Sequence, residues 1–385
     1  MRHLVALLMV LLAGCASAPP PAPVPDLYRD AAFGPPSQPV STDNLFTLSP
    51  EMREYLNSAT FRAFLRDDGR EYGLLKALYT GSKNGLKLDY DASYTRNAAE
   101  TYRDRAGNCM SLVIMTAAFA KELGIPVRFQ NVMHEESWSR SGDLYMLSGH
   151  VNLVLAYRRI DQMYSSNAEG GLVVDFLSDP AAPGRYNQPL DEEEIVMMYQ
   201  NNRAAEALVE GKLDDAYWWA RAATASNPRT ALAYNTLGVI YERRGDHFMA
   251  ERAYRTALTR EPENIITLRN LEPVLLSMGR TAEAKEIAQQ VARIEPIPPF
   301  YYFNKGVTAY QKKDYSGARD LFAREVKRAP YYDEFHFWLA ASMLQLGEVK
   351  QAREQLTLAA DTSTRKDTRN LYNAKLAHLR QLGMR

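Results

Sequence analysis

Arg105-Ala106-Gly107-Asn108-Cys109-Met110-Ser111-Leu112 is the stretch that decides how the first half of this chain folds. From Met110 to Leu123 the residues are apolar and good helix formers, and Gly124-Ile125-Pro126 stops the run. A helix is therefore expected to start at Asn108, with Cys109 in its first turn. Unsatisfied backbone N–H groups and the positive end of the helix dipole stabilise a thiolate at that position. A cysteine placed there reads as a nucleophile, the bland alternative being an inert buried thiol.

A thiolate nucleophile needs a base, and the base needs a partner that orients it. Downstream, Gly149-His150-Val151-Asn152-Leu153-Val154-Leu155-Ala156-Tyr157 alternates as a strand does, with Val151, Leu153, Leu155 and Tyr157 on one face and His150 opening the other. In Gly171-Leu172-Val173-Val174-Asp175-Phe176-Leu177 a single acid interrupts an apolar strand, where an ionised carboxylate is costly unless paired. His150 and Asp175 are thus the candidate base and orienting acid. His134, in what reads as a polar loop over 132–148 that also holds Trp138, is a rival base; a histidine in such a loop is usually only solvated.

The order Cys109, His150, Asp175, with a cysteine-bearing helix followed by two strands, resembles the transglutaminase-like superfamily of papain-like cysteine enzymes. The likeness is closest to bacterial members with a G-N-C-x-S motif, here Gly107 to Ser111, and it covers roughly residues 70 to 180. It implies an α+β fold and acyl transfer through a Cys-His-Asp triad. Cys109 would attack an amide carbonyl, His150 would carry the proton, and Asp175 would orient the imidazole. No residue completing an oxyanion hole is evident.

At the N-terminus, Met1-Arg2-His3 and the apolar run Leu4 to Ala13 are too short to span a bilayer and read as an export signal. The signal ends in Leu12-Ala13-Gly14-Cys15, which resembles a bacterial lipobox. Residues 1–14 are then a lipoprotein signal peptide, Cys15 the acylated residue, and the periplasmic face of the outer membrane the expected location, with Ala16 rather than Asp following the cysteine. A plain secretory signal with an incidental cysteine is the alternative. The chain has two cysteines, so anchoring one leaves Cys109 without an intrachain partner. Residues 15–41, with Pro19-Pro20-Pro21, Pro23, Pro25, Pro35-Pro36 and Pro39, read as an extended, disordered tether.

Residues 42–190 carry the α+β unit. Ser49 and Pro50 begin a helix expected to reach about Leu65, a second helix covers Glu71 to Tyr79, and a third lies around Asn97 to Tyr102. Strand signals fall at Val127 to Asn131. Turn residues over Asp179 to Asp191 mark the exit from this unit.

The second half is a repeat. Pro228, Pro262, Pro296 and Pro330 are 34 residues apart, and so are Ala216, Ala250, Ala284, Ala318 and Ala352. Gly211, Gly245, Gly279 and Gly347 keep the frame, with Lys313 in place of a glycine. This period, with Gly between two helices, small residues where they cross and Pro after the second, is the tetratricopeptide signature. The unit with Tyr234, Leu237-Gly238, Tyr241, Ala250, Tyr254, Ala257 and Pro262 fits it best. About five repeats are expected over 197–364, forming an all-α solenoid, followed by a capping helix over 366–385. Glu272-Pro273 is expected to bend the third unit. Most of the many tyrosines are expected at the repeat's own aromatic positions, and His247, His336 and His378 read as ordinary helix residues.

Lysine and arginine total 46 and aspartate and glutamate 46, which with no basic stretch argues against nucleic acid. The acidic run Asp191 to Glu194 is most simply a solvated helix start, and no His/Cys cluster points to zinc. Neither a metal nor a cofactor is expected. The expected protein is a lipid-anchored envelope hydrolase or acyltransferase whose repeats bind a protein or peptide partner. The alternative is an inert scaffold of the same fold. Deleting 197–385 is expected to leave small-substrate chemistry intact but to abolish recruitment of the partner.

Overall fold

The computed structural model describes residues 24–79, 85–141, 144–157, 170–176 and 186–381, with the side chains of 133–149, 186 and 380–381 outside the description. Cys15 and the residues read as an export signal lie outside the described residues.

Ser49 accepts a hydrogen bond from the Met52 N–H and Pro50 occupies the first helical position, so helix α1 spans Pro50–Asn57. It does not reach Leu65. Ser58 is extended, and its hydroxyl accepts from the Phe61 N–H to begin a separate helix, α2, Ala59–Asp68. Helix α3 covers Arg70–Tyr79, and α4, Ala98–Asp104, opens with a reciprocal capping box between Asn97 and Glu100. Helix α5, Cys109–Glu122, is buried continuously from Met110 to Ala120. A helix that is apolar on all sides must be central, and the other elements wrap it.

Two short parallel strands, β1 (Asp89–Tyr90) and β2 (Ala106–Gly107), lead into α5. Beyond it, β3 (Val127–Ser141), β4 (Leu144–Ala156), β5 (Gly171–Val174) and β6 (Tyr186–Leu190) form an antiparallel sheet in the order β5-β4-β3-β6. The segment expected as a polar loop over 132–148 is instead the far half of the β3–β4 hairpin, with a register shift between Val132 and Ser137. His134 lies in strand β3, its side chain outside the described residues. The expected exit from the unit also differs, because its last part is β6, which among the described residues pairs only with β3. Pro189 is tolerated there because an edge strand has one unpaired side. Asp179-Pro180 and Pro183-Gly184 lie outside the described residues.

The C-terminal part is an all-α solenoid of antiparallel helix pairs. These are α6 (Glu192–Val209) with α7 (Leu213–Ser226), α8 (Ala231–Arg244) with α9 (His247–Arg260), and α10 (Ile265–Ser277) with α11 (Thr281–Ile294). Next come α12 (Tyr301–Gln311) with α13 (Tyr315–Arg328) and α14 (Asp333–Gln345) with α15 (Val349–Thr362), followed by α16 (Lys366–Gln381). The periodic alanines 216, 250, 284, 318 and 352 are all at most 2% exposed, as the crossing points of paired helices require. Gly211, Gly245, Gly279 and Gly347 have φ between 74° and 84°, and Lys313 takes the same left-handed conformation at 63°. Helix α10 continues through Pro273 to Ser277.

From Val24 onward the expected tether is not extended chain. It makes two single-turn 3-10 helices, Pro25–Leu27 and Asp30–Ala32, and lies against the solenoid. The Phe33 ring stacks on Tyr217 with centroids 3.8 Å apart, and Leu27 is 1% exposed. Tyr217 donates its hydroxyl to Asp30 at 2.6 Å and accepts the Arg29 N–H at 2.8 Å. Trp218 donates to the Gly34 carbonyl at 2.6 Å, Tyr241 to the Leu27 carbonyl, and both the backbone and hydroxyl of Ser37 donate to Asp215. Prolines here fix an irregular path whose isolated apolar residues fill slots between helices, rather than holding a chain away from a surface.

One hydrophobic core runs from Leu27 through α5 and the sheet into the solenoid as far as Ala284, while two smaller clusters serve the later repeats. The two halves therefore share one buried core, with residues of both packed into it. Among the described residues no helix is long and apolar enough to cross a membrane.

Candidate active site

The G-N-C-x-S stretch builds the start of α5 atom by atom. Asn108 is the N-cap, its side-chain oxygen accepting the Ser111 N–H at 2.9 Å, which leaves Cys109 as the first helical residue. The Ser111 hydroxyl donates to the same oxygen at 2.8 Å and accepts the Arg96 N–H at 2.8 Å. A Cβ on Gly107 would stand 2.6 Å from the Ser111 Cβ, so only glycine fits this approach. Cys109 is partly buried and unpaired to any disulfide.

His150, in mid-β4 opposite Val132 and beside the register shift rather than at the strand's opening as the sequence suggested, directs Nε2 to Asp175 Oδ1 at 2.6 Å. Their side chains are 16% and 11% exposed, so little water competes. The other ring nitrogen, Nδ1, is buried without a hydrogen-bond partner at bonding distance. Burial by itself would lower the imidazole. The hydrogen bond to Asp175 and the charge of the nearby Cys109 and Asp175 outweigh it, and the ring is pushed up to about 9. The three residues singled out from the sequence thus lie in one place, with the imidazole between the carboxylate and the thiol. The looser thiol side of the ring is common in proteins without substrate.

A fourth residue, Tyr90, was not legible in the sequence. Pairing of Tyr90 with Gly107 across β1 and β2 brings it beside Cys109. There the phenol is held above its usual range by burial and by charge on Cys109, while the Cys109 N–H hydrogen-bonds to it. A two-residue strand gives no periodic signal, and only the parallel pairing links positions 90 and 109.

Elsewhere His336 is buried and hydrogen-bonded to Gln355 at 2.7 Å and to the Pro330 carbonyl at 2.8 Å, a structural role. Among the described residues no group of three His, Cys, Asp or Glu could hold a metal ion.

Two family models, both described as tetratricopeptide repeat, match residues 231–264 and 273–333. The first spans the unit from Tyr234 to Pro262 that fits the repeat pattern best. Among curated proteins none matches the chain in sequence. Solved structures similar to it include Pseudomonas aeruginosa pilF, 20% identical, aligned over 50% of this chain and 87% of that one with a TM-score of 0.29. YrrB, a TPR protein with an unusual peptide-binding site, is 18% identical over 46% and 92% of the two chains, TM-score 0.26. MamA from Desulfovibrio magneticus RS-1 is 15% identical over 45% and 96%, TM-score 0.26. The two repeat matches and the helix pairs together make the C-terminal part a solenoid of tetratricopeptide repeats, an architecture that suggests protein–protein interaction, and the N-terminal part is a mixed α/β unit joined to it.

Proposed function

We propose that the protein is a transglutaminase-like cysteine enzyme acting on amide bonds, anchored in the bacterial envelope through Cys15, with its repeats binding a protein substrate or partner. The observation that carries this reading is the 2.6 Å contact of His150 with Asp175, which keeps the ring charged beside a cysteine at a helix N-terminus. The Cys109 thiolate attacks the carbonyl carbon, a C–S bond forms, and the carbonyl electron pair moves to oxygen. The Cys109 N–H and the Tyr90 hydroxyl, which lie beside the thiol, would donate to that oxyanion. As the intermediate collapses the C–N bond breaks, and the imidazolium of His150 gives its proton to the departing amine. Water, or a second amine, then attacks the thioester carbon and gives a proton to His150, and as that intermediate collapses the C–S bond breaks, releasing the acid or new amide and restoring the Cys109 thiolate. In an aqueous compartment hydrolysis is the simpler outcome.

One observation favours the inert scaffold instead: the Tyr90 hydroxyl already bonds to the N–H that would receive the oxyanion. Alkylation separates the two readings. With Cys15→Ala leaving a single thiol in the full chain, Cys109 should react with iodoacetamide almost as fast at about pH 6.5 as at about pH 8.5, and His150→Ala should abolish the low-pH reactivity. A folded protein whose Cys109 is silent, or indifferent to His150, sinks the enzyme reading. Labelling with radioactive palmitate that survives Cys15→Ala would sink the anchor.

A further inference from the structure

Thr95 is 0% exposed and sits where the solenoid meets the start of α5. Its N–H donates to Glu206 Oε1 at 2.7 Å and its carbonyl accepts from Arg203 at 3.2 Å, both on α6. Its hydroxyl accepts from the Asn108 side-chain amide at 2.8 Å. That amide's oxygen caps α5 one residue before Cys109. Arg96, the next residue, binds Ser111 through its backbone N–H and holds Asp91 and Asp104, each at 3.0 Å, through its guanidinium. At the far end of the solenoid the Thr364 carbonyl accepts the Ala92 N–H at 3.2 Å, so the loop over 91–96 is gripped by both ends of the repeat array.

We propose that Thr95 is a positioning residue for the Cys109 nucleophile, held in place by Glu206 and Arg203, and that the repeats thereby set the geometry of the thiol as well as offering a surface to a partner. This rests on the reading of Cys109 as the nucleophile. Glu206 and Arg203 satisfy both backbone groups of Thr95, which, being buried, have no water to turn to. With the backbone of Thr95 fixed, its hydroxyl fixes the Asn108 amide plane, and that plane aims the cap oxygen at the Ser111 N–H. Burial pushes the Glu206 carboxyl up to about 7 against the opposing pull of Thr95 and Arg203, so it accepts this bond whether or not it is charged. A partner that changed the curvature of the repeats would move this loop, and with it the cap that orients Cys109.

The test uses the full chain with Cys15→Ala and two readouts, amide hydrogen exchange at Ser111 and the pH profile of Cys109 alkylation by iodoacetamide. Thr95→Val keeps the shape and the backbone bonds but removes the acceptor for Asn108. It should raise exchange at Ser111 roughly fivefold and slow low-pH alkylation, since a cap bond is worth about 1 kcal/mol. Thr95→Ser should restore both. Glu206→Gln keeps the acceptor oxygen and should resemble the parent, whereas Glu206→Ala should resemble Thr95→Val. If Glu206→Ala fails to fold, the Val and Ser pair decides alone. Unchanged exchange and an unchanged profile in folded Thr95→Val would overturn the proposal. An ordinary thiol profile in the parent would overturn the nucleophile reading and the positioning role with it, while exchange at Ser111 would still report on the hydrogen-bond relay separately.

Discussion

Replacing Phe33 with Ala should release the N-terminal segment from the solenoid without unfolding the rest. Phe33 is 7% exposed, stacked on Tyr217 and covered by the Arg244 guanidinium at 4.3 Å from its ring centroid. Removing a buried phenyl costs about 3 kcal/mol or more, with part of that from lost ring stacking. A short segment anchored chiefly by Phe33 and Leu27 holds little more than this, so opening should become favourable by roughly two orders of magnitude, at a factor of ten per ~1.4 kcal/mol. Amide hydrogen exchange reads it at Arg29 and Ser37, whose N–H groups donate to Tyr217 and Asp215 across the contact. Phe33→Ala should speed both about a hundredfold, whereas Ser37→Ala, at an exposed site, should leave Arg29 nearly unchanged. Exchange at Arg29 that is already that of unstructured chain in the parent protein would refute docking and return the segment to a tether.

Lys313→Gly should raise stability by about 0.5–1 kcal/mol in denaturant unfolding, because it relieves a left-handed residue at φ 63° where the other units carry glycine; a loss would mean Lys313 makes a compensating contact. Stability should fall between mildly acidic and alkaline pH. Glu206 is raised from 4.5 to about 7 and His150 from 6.5 to about 9, so the folded state binds these protons more tightly than the unfolded chain does. Their stabilisation is complete below about pH 4.5 and 6.5 respectively, and disappears as pH rises through about 7 and 9. Urea midpoints that rise across this window would contradict the assignment. Cutting the chain after Leu190 should give a protein that fails to fold cooperatively, since the core from Leu27 to Ala284 crosses that point; a sharp thermal transition in the fragment would show otherwise.

Much of this architecture could be read from the residues because it repeats or alternates. The 34-residue spacing of Pro and Ala fixes the helix pairs, and the apolar run after Asn108 fixes α5 with Cys109 at its start. The meeting of His150 with Asp175 was legible because a lone acid in an apolar strand needs a partner. What escaped has no period. The outer half of β3, from His134 to Ser141, is mostly polar and reads as loop, and β6 contains a proline that its edge position tolerates. The N-terminal segment binds through isolated residues, Leu27, Asp30 and Phe33, set among prolines that resemble those of a linker. Tyrosines divide between roles that the sequence does not distinguish. Tyr254 packs against Gly238 inside its own repeat, whereas Tyr217 and Tyr241 hold the N-terminal segment. Thr95, Glu206 and Tyr90 matter only through contacts between elements distant in the chain, and composition carries no trace of them.

The measurement that bears most directly on the central claim is an NMR titration of the His150 ring in the full chain, compared with Cys109→Ser and Asp175→Asn. A working assembly of thiol, imidazole and carboxylate predicts that the ring stays protonated to about pH 9 and that each substitution brings its midpoint down toward the ordinary value. A ring that titrates near the ordinary 6.5 in the parent protein and ignores both substitutions would contradict it.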